Sequence, residues 1–162
     1  MIILESVSDP MSPESVELQA AILNSQPAFN LMVLHKKFIT PEEIREENKQ
    51  NLEEMGEKML LIVEKGKPIG IITYLPSHPG DKHCWIGLFV LHHGCAGRGI
   101  GSIALNALER RLRQENAAQV RLAAQLENLA GAAFWQKNGY SIVKSTQDQR
   151  GNEVDVYEKP LL

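Results

Sequence analysis

The sequence predicts an α/β fold in a single domain, and three observations carry the prediction. In "MLLIVEKGKPIGIITYL", residues 59–75, two β-rich runs flank the turn Glu64-Lys65-Gly66-Lys67 and read as a hairpin. Two other segments open on a capping residue followed by proline, which marks a helix start. The apolar run "HCWIGLFVL" then leads through a glycine-rich stretch, "CAGRGIGS" at 95–102, straight into an amphipathic helical pattern.

The elements follow in order. "IILESV" at 2–7 reads as an opening strand. Ser12 and Pro13 open a helix that runs through Asn24, with Val16, Ala20 and Leu23 at helical spacing. Thr40 caps and Pro41 opens a second helix, "TPEEIREENKQNLEEM", whose Glu42 and Glu43 suit the positive end of the helix dipole. The hairpin comes next, then a loop with Pro76, Pro79 and Gly80, then the strand "HCWIGLFVL". In "IALNALERRLRQEN", Ile103, Ala107, Leu108 and Leu112 define the apolar face of a long helix. "QVRLAAQ" is a strand, and "NLAGAAFWQKNGY" a helix capped by Asn128 and stopped by Gly139. "YSIVKST" and "EVDVYEK" close the chain as two strands around residues 148–152.

Composition narrows the function classes. A chain of 162 residues that is 43% hydrophobic can bury one sizeable core. A net charge of −3 without a basic block argues against nucleic acid as a partner. Cys84 and Cys95 are too few for a disulfide framework and lack metal-ligand spacing, which fits a reduced, intracellular protein. The start "MIILESVSDPMSP" lacks the basic and apolar regions of a signal peptide, and no run approaches the ~20 apolar residues of a membrane span. A soluble, cytoplasmic protein with no membrane partner is expected.

The glycine stretch is the chemical signal. A strand, a glycine turn and a helix start together make an anion site, because the first amides of a helix lack intrahelical partners and carry the positive end of its dipole. Arg98 can add charge there or face solvent. A plain connecting turn is the competing explanation. A P-loop is excluded because Gly101 runs directly into Ser102 without a lysine. A dinucleotide fingerprint is excluded because "QVRLAAQ" offers no acidic residue. The neighbouring His92 and His93 read as a solvated turn, with no further ligands for a metal.

Two motifs in order then resemble the GNAT superfamily of N-acetyltransferases. "AGRGIG" at 96–101 is similar to its acetyl-CoA signature, Gln/Arg-x-x-Gly-x-Gly/Ala, through Gly99 and Gly101. "NLAGAAFWQKNGY" is similar to a second family element through Asn128, Phe134, Trp135, Gly139 and Tyr140. The resemblance covers residues 59 to 145 and departs at Ala96 for Gln/Arg, His93 for proline, Cys95 for an aromatic and Gly131 for alanine. Trp135 stands where the family commonly has the tyrosine that protonates the departing thiolate.

The resemblance implies one domain over residues 1–162: a mixed, mostly antiparallel central sheet with a splayed central strand pair and flanking helices. It implies acetyl-CoA as co-substrate, no metal, and an acceptor that is a primary amine of a small molecule or of a peptide or protein. It also admits a homodimer. The cofactor set it implies is the main chain of Phe89, Val90 and Leu91, the cradle Ala96, Gly97, Arg98, Gly99, Ile100, Gly101 and Ser102, and then Asn128 and Phe134. Trp135 becomes a cleft wall rather than an acid, since an indole N–H does not ionise usefully.

Strand alternation puts residues 83, 85, 87, 89 and 91 on one face, where Trp85 replaces a glutamate frequent in relatives. His83 is then the candidate general base, histidine being the side chain that ordinarily exchanges protons near neutral pH; it also reads as an ordinary hairpin histidine. Two other readings stand beside an acetyltransferase: an acyl-CoA-binding domain without catalysis, and a phosphate-binding module for an unrelated nucleotide.

Overall fold

Both helix-start signals act through their side chains in the computed structural model, which describes residues 1–162. Ser12 accepts from the Ser15 amide at 3.1 Å and starts α1, Pro13–Asn24. Thr40 and Glu43 form a reciprocal capping box at the head of α3, Pro41–Asn48. Between them lies α2, Pro27–Leu34, a helix with no side-chain cap that ends on His35 at φ 64. The expected continuous helix through Met55 stops at Asn48 and passes into a π-helical turn, Lys49–Glu54. Asn48 is buried and donates to Gln19 Oε1 and the Pro10 carbonyl, which pins the helix end to α1.

The strands β1 (Ile2–Ser6), β2 (Lys58–Glu64), β3 (Lys67–Leu75), β4 (Cys84–Leu91), β5 (Gln119–Gln125), β6 (Ser141–Gln147) and β7 (Glu153–Pro160) form one sheet in the order β1-β2-β3-β4-β5-β7-β6. Every neighbouring pair is antiparallel except β4 and β5. The fold is therefore α/β with a mixed, mostly antiparallel sheet.

Helices cover both faces. On one face α4 (Ile100–Gln114) and α5 (Leu129–Lys137) pack against Leu60, Ile62, Ile72, Cys84, Ile86, Leu122 and Tyr157. On the other, α1 and α3 pack against Met59, Ile71 and Val90. The buried stripe of α4 is Ile100, Ala104, Leu105, Leu108 and Leu112, and Ile103 is 52% exposed. Leu108 and Leu112 lie on the stripe as the sequence reads it, while Ile103 and Ala107 lie beside it and the stripe runs back instead through Leu105, Ala104 and Ile100. That stripe also buries Glu109, whose carboxylate receives the Tyr140 hydroxyl and Lys159 Nζ, each at 2.8 Å.

Candidate active site

Where β4 ends, the chain turns through His93–Cys95 and enters α4 by two glycines in the left-handed region, Gly97 at φ 78 and Gly99 at φ 74. That conformation suits a residue without Cβ. Gly99 is the N-cap and offers no side chain to close the helix. As a result none of the amides from Gly97 to Ser102 donates to a protein acceptor. Gly101 is required by closeness rather than by φ: a Cβ there would lie 3.0 Å from Phe134 Cε1. Ala96 ends the turn in extended conformation, and Ile100 is buried beneath the loop. The Arg98 guanidinium does not point over the cradle. It forms a bidentate pair with Glu64 on β2, at 3.2 and 2.9 Å.

Beside the cradle the sheet opens. β4 pairs with β5 only through Cys84, Trp85 and Ile86, against Val120, Arg121 and Leu122, so Gly87–Leu91 leave Ala123–Gln125 behind. The antiparallel ladder with β3 decides which main-chain groups face the gap. His92 donates to the Ile69 carbonyl at 2.7 Å, and the register pairs Val90 with Ile71 and Phe89 with Ile72. Hydrogen-bonded and non-hydrogen-bonded pairs alternate, so Val90 gives its amide and carbonyl to β3. Phe89 and Leu91 turn theirs outward, and the Leu91 carbonyl is already taken by Gln26 Nε2 at 2.9 Å.

Aromatic rings close one side of this opening. Phe89 packs on Phe134 and Trp135, with centroids 5.7 and 5.6 Å apart, and Trp135 meets Tyr140 edge-on at 5.2 Å. Trp135 is only 7% exposed and belongs to the core beneath the gap. Burial and the Glu109 carboxylate push the Tyr140 hydroxyl well above its ordinary value, so this phenol stays protonated. Asn128 caps α5 by accepting from the Gly131 amide at 2.9 Å. Gly131 is needed for that fold-back, since a Cβ would fall 2.5 Å from Asn128 Nδ2.

The other side differs from the alternation read from the sequence. A bulge opposite the Thr73–Tyr74 step leaves Gly87 without a partner, since Leu88 pairs with Thr73 and Ile86 with Tyr74. One extra residue reverses the parity of the strand. Cys84 and Ile86 therefore share a face with Phe89 and Leu91, and Leu88 and Val90 pack towards α1. His83 and Trp85 do not share a face with Phe89 and Leu91. His83 sits at the paired end of β4 with its ring on Gln119, five residues and roughly 17 Å from Leu88. The Trp85 indole donates to Asp81 at 3.0 Å. Although burial raises Asp81, the His83 amide and the Trp85 N–H hold it below the usual carboxylate range.

Glu57, which no sequence motif marks, is brought to this bulge. A Cβ on Gly87 would collide with Glu57 Oε1 and lie 2.9 Å from Thr73 Oγ1, so the carboxylate occupies the space that a larger residue 87 would fill. Burial raises the Glu57 carboxyl above its ordinary value, opposed by the Thr73 hydrogen bond and reinforced by Glu47. Overhead, the turn between β6 and β7 reaches α2 and α3: Asn152 bonds His35 and the Val33 carbonyl, and Arg150 pairs with Glu47 at 2.9 Å. These contacts tie the two sides of the opening together. A cavity of about 620 Å³ lies between the loop after β1, the π-helical turn and the C-terminal end of α4; Glu57 lines it and no cradle residue does.

Comparison with known proteins agrees with this geometry. Residues 26–140 match the Acetyltransferase (GNAT) family. No curated protein sequence matches the chain. Among solved structures it is similar to an acetyltransferase from Thermus thermophilus, with 19% identity and a TM-score of 0.79 over 99% of this chain and 97% of that one. It is also similar to a Salmonella typhimurium acetyltransferase that modifies the N-terminal serine of a 50S ribosomal subunit protein, with 20% identity and a TM-score of 0.78 over 98% and 94% of the two chains. A third similar structure is spermidine N-acetyltransferase from Vibrio cholerae in complex with CoA and spermine, with 11% identity and a TM-score of 0.77 over 99% and 95%. A sheet opened at its one parallel pair, with a row of amides that donate to no protein acceptor at the next helix start, thus meets a family match over most of the sequence, and the chain belongs to the GNAT family of acetyltransferases.

Proposed function

We propose that this protein moves the acetyl group of acetyl-CoA to a primary amine, carried by a small molecule or by a peptide or protein. The observation that carries the reading is the row of undonated amides from Gly97 to Ser102 beside the opening of β4 from β5. Those amides and the dipole of α4 suit the pyrophosphate, while the outward amide and carbonyl of Phe89 and the amide of Leu91 suit the amide-bearing arm. Acetyl-CoA supplies an activated thioester. The chain's part is to hold the carbonyl beside β4 and to keep the amine oriented against it. Asn128 and Phe134 flank the arm from α5. We place this activity in the cytoplasm, a reducing compartment that suits the free Cys84 and Cys95.

Thermal unfolding tests the assignment. Acetyl-CoA at 100 times its Kd should add about 2.7 kcal/mol of stability, and ATP or NAD at the same concentration should add none. Equal stabilisation by all three ligands would favour a general nucleotide site.

The tryptophan at the family's tyrosine position favours one second reading, a domain that binds acyl-CoA without turning it over. Against it, CoA is a good leaving group, since thiols ionise near pH 8.5, and the reaction needs less help from an acid than most acyl transfers. Trp135→Phe is expected to lower stability by about 1–2 kcal/mol through lost packing, below the roughly 3–5 of truncation to alanine. Turnover should fall only modestly, and Trp135→Tyr should keep or raise it. Loss of all turnover in Trp135→Phe, with folding and affinity intact, would give the indole a direct part in the transition state.

A further inference from the structure

We propose that Glu57 is the general base, taking the proton from the acceptor amine at the mouth of the β4–β5 opening. The inference rests on the acetyl-transfer reading above and names a residue for it.

Four placements converge on this carboxylate. It lies against the main chain of Gly87, the residue directly after the last β4–β5 pair, and so at the point where the cleft begins. Thr73, beside it at Gly87, alternates with Ile72 and Tyr74, which face α4 and α5, so the carboxylate shares the face turned to α1, opposite the aromatic wall. The Thr73 hydroxyl faces the same space from β3. The Glu57 amide donates to the Asn51 carbonyl at 3.0 Å, which anchors the residue to the π-helical turn before β2.

Gly87 explains why the base comes from elsewhere. Its φ lies outside the left-handed region, so a side chain would be tolerated by the backbone; what excludes one is the carboxylate itself, which fills the Cβ position. The charged groups facing Glu57 are few. Glu47 on α3 is nearest in effect and is itself paired with Arg150 from the β6–β7 turn. The cavity that Glu57 also lines carries Asp9, Glu53, Lys58, Arg111 and Glu115. No cation bonds the Glu57 carboxylate, which leaves it available to an ammonium group.

The step balances as follows. The ammonium acceptor gives one proton to the Glu57 carboxylate, directly or through one water, and becomes a neutral amine. Its nitrogen lone pair forms the C–N bond to the thioester carbon as the C–S bond breaks. The second nitrogen proton leaves with the thiolate as free CoA thiol, and Glu57 returns its proton to solvent.

Glu57→Gln keeps the shape and removes the base. Its kcat is expected to fall by roughly 10²-fold, within the range credited to positioned proton transfer. Acetyl-CoA affinity by calorimetry should be unchanged, and the acidic limb of the kcat/KM profile should vanish. A readout without activity follows from the raised Glu57 carboxyl. Its ionised form costs stability as pH rises through the folded value, so Glu57→Gln should melt at or above wild type at neutral pH and lose that advantage in acid.

Gly87→Ala is the second variant. It keeps Glu57 and displaces its carboxylate, and it should lose kcat without losing acetyl-CoA affinity. The proposal is overturned if either variant keeps wild-type kcat with its acidic limb. It is equally overturned if Glu57→Gln raises only the KM for the amine, or melts well below wild type at neutral pH. Wild-type protein that releases no thiol with any amine would remove the acetyl-transfer reading first, and this assignment with it.

Discussion

Gly101→Glu is expected to weaken acetyl-CoA binding by at least ~10-fold, about 1.4 kcal/mol, in protein that still folds. Two effects add. A Cβ at position 101 meets the Phe134 ring at 3.0–3.3 Å, so α5 must shift by a few tenths of an ångström where it borders the opening. The carboxylate then places negative charge among amides that would otherwise face phosphate, reversing the electrostatics of the helix start. Gly101→Ala carries the first effect alone and should lose less. Calorimetric titration of both variants checks this, and unchanged affinity in Gly101→Glu would remove the cradle from the cofactor site.

Lys159→Met is expected to destabilise the fold by about 3 kcal/mol, the low end of what breaking a buried ion pair costs. Glu109 is 2% exposed, and its carboxylate is held by Lys159 Nζ and the Tyr140 hydroxyl. Without the lysine a buried charge keeps only a neutral donor. For a chain of this size the loss corresponds to a fall in Tm of roughly 6–12 °C. Replacing Glu109 as well, in Glu109→Leu with Lys159→Met, should recover much of it, because the pair then leaves no uncompensated charge. A single variant with wild-type Tm would show that water already reaches Glu109. Because Tyr140 belongs both to this network and to the aromatic wall, the lysine variant should also loosen Trp135.

Signals confined to one stretch of chain were legible in the sequence. Ser12 and Thr40 cap the helices they announce, the hairpin turns where Lys65 and Gly66 allow it, and the glycine stretch opens α4. Signals that depend on a distant partner were not. α2 escaped because "PAFNLMVL", apolar but for the buried Asn30, shows no polar face and carries neither a capping side chain nor a terminal glycine. A glycine inside a strand run can mark a bulge, yet the reversal at Gly87 becomes visible only against the register of β3, and it relocates His83 and Trp85. Arg98 reads either as a charge over the cradle or as a solvent-facing residue until the hairpin sets Glu64 beside it. Glu57 stands thirty positions from Gly87, in a stretch with no motif, so only the folded sheet brings its carboxylate to the opening.

The central claim is amine-dependent acetyl transfer, and free-thiol release from acetyl-CoA tests it most directly. Wild-type protein is mixed with acetyl-CoA and a panel of primary amines: polyamines, amino sugars and peptides with free N-termini. The predicted result is thiol release that requires both protein and one class of amine, saturates in each substrate, and is lost in Gly101→Glu. Acetyl-CoA binding with no amine-dependent thiol release across the panel would contradict an acetyltransferase and leave a domain that only binds the acyl-CoA.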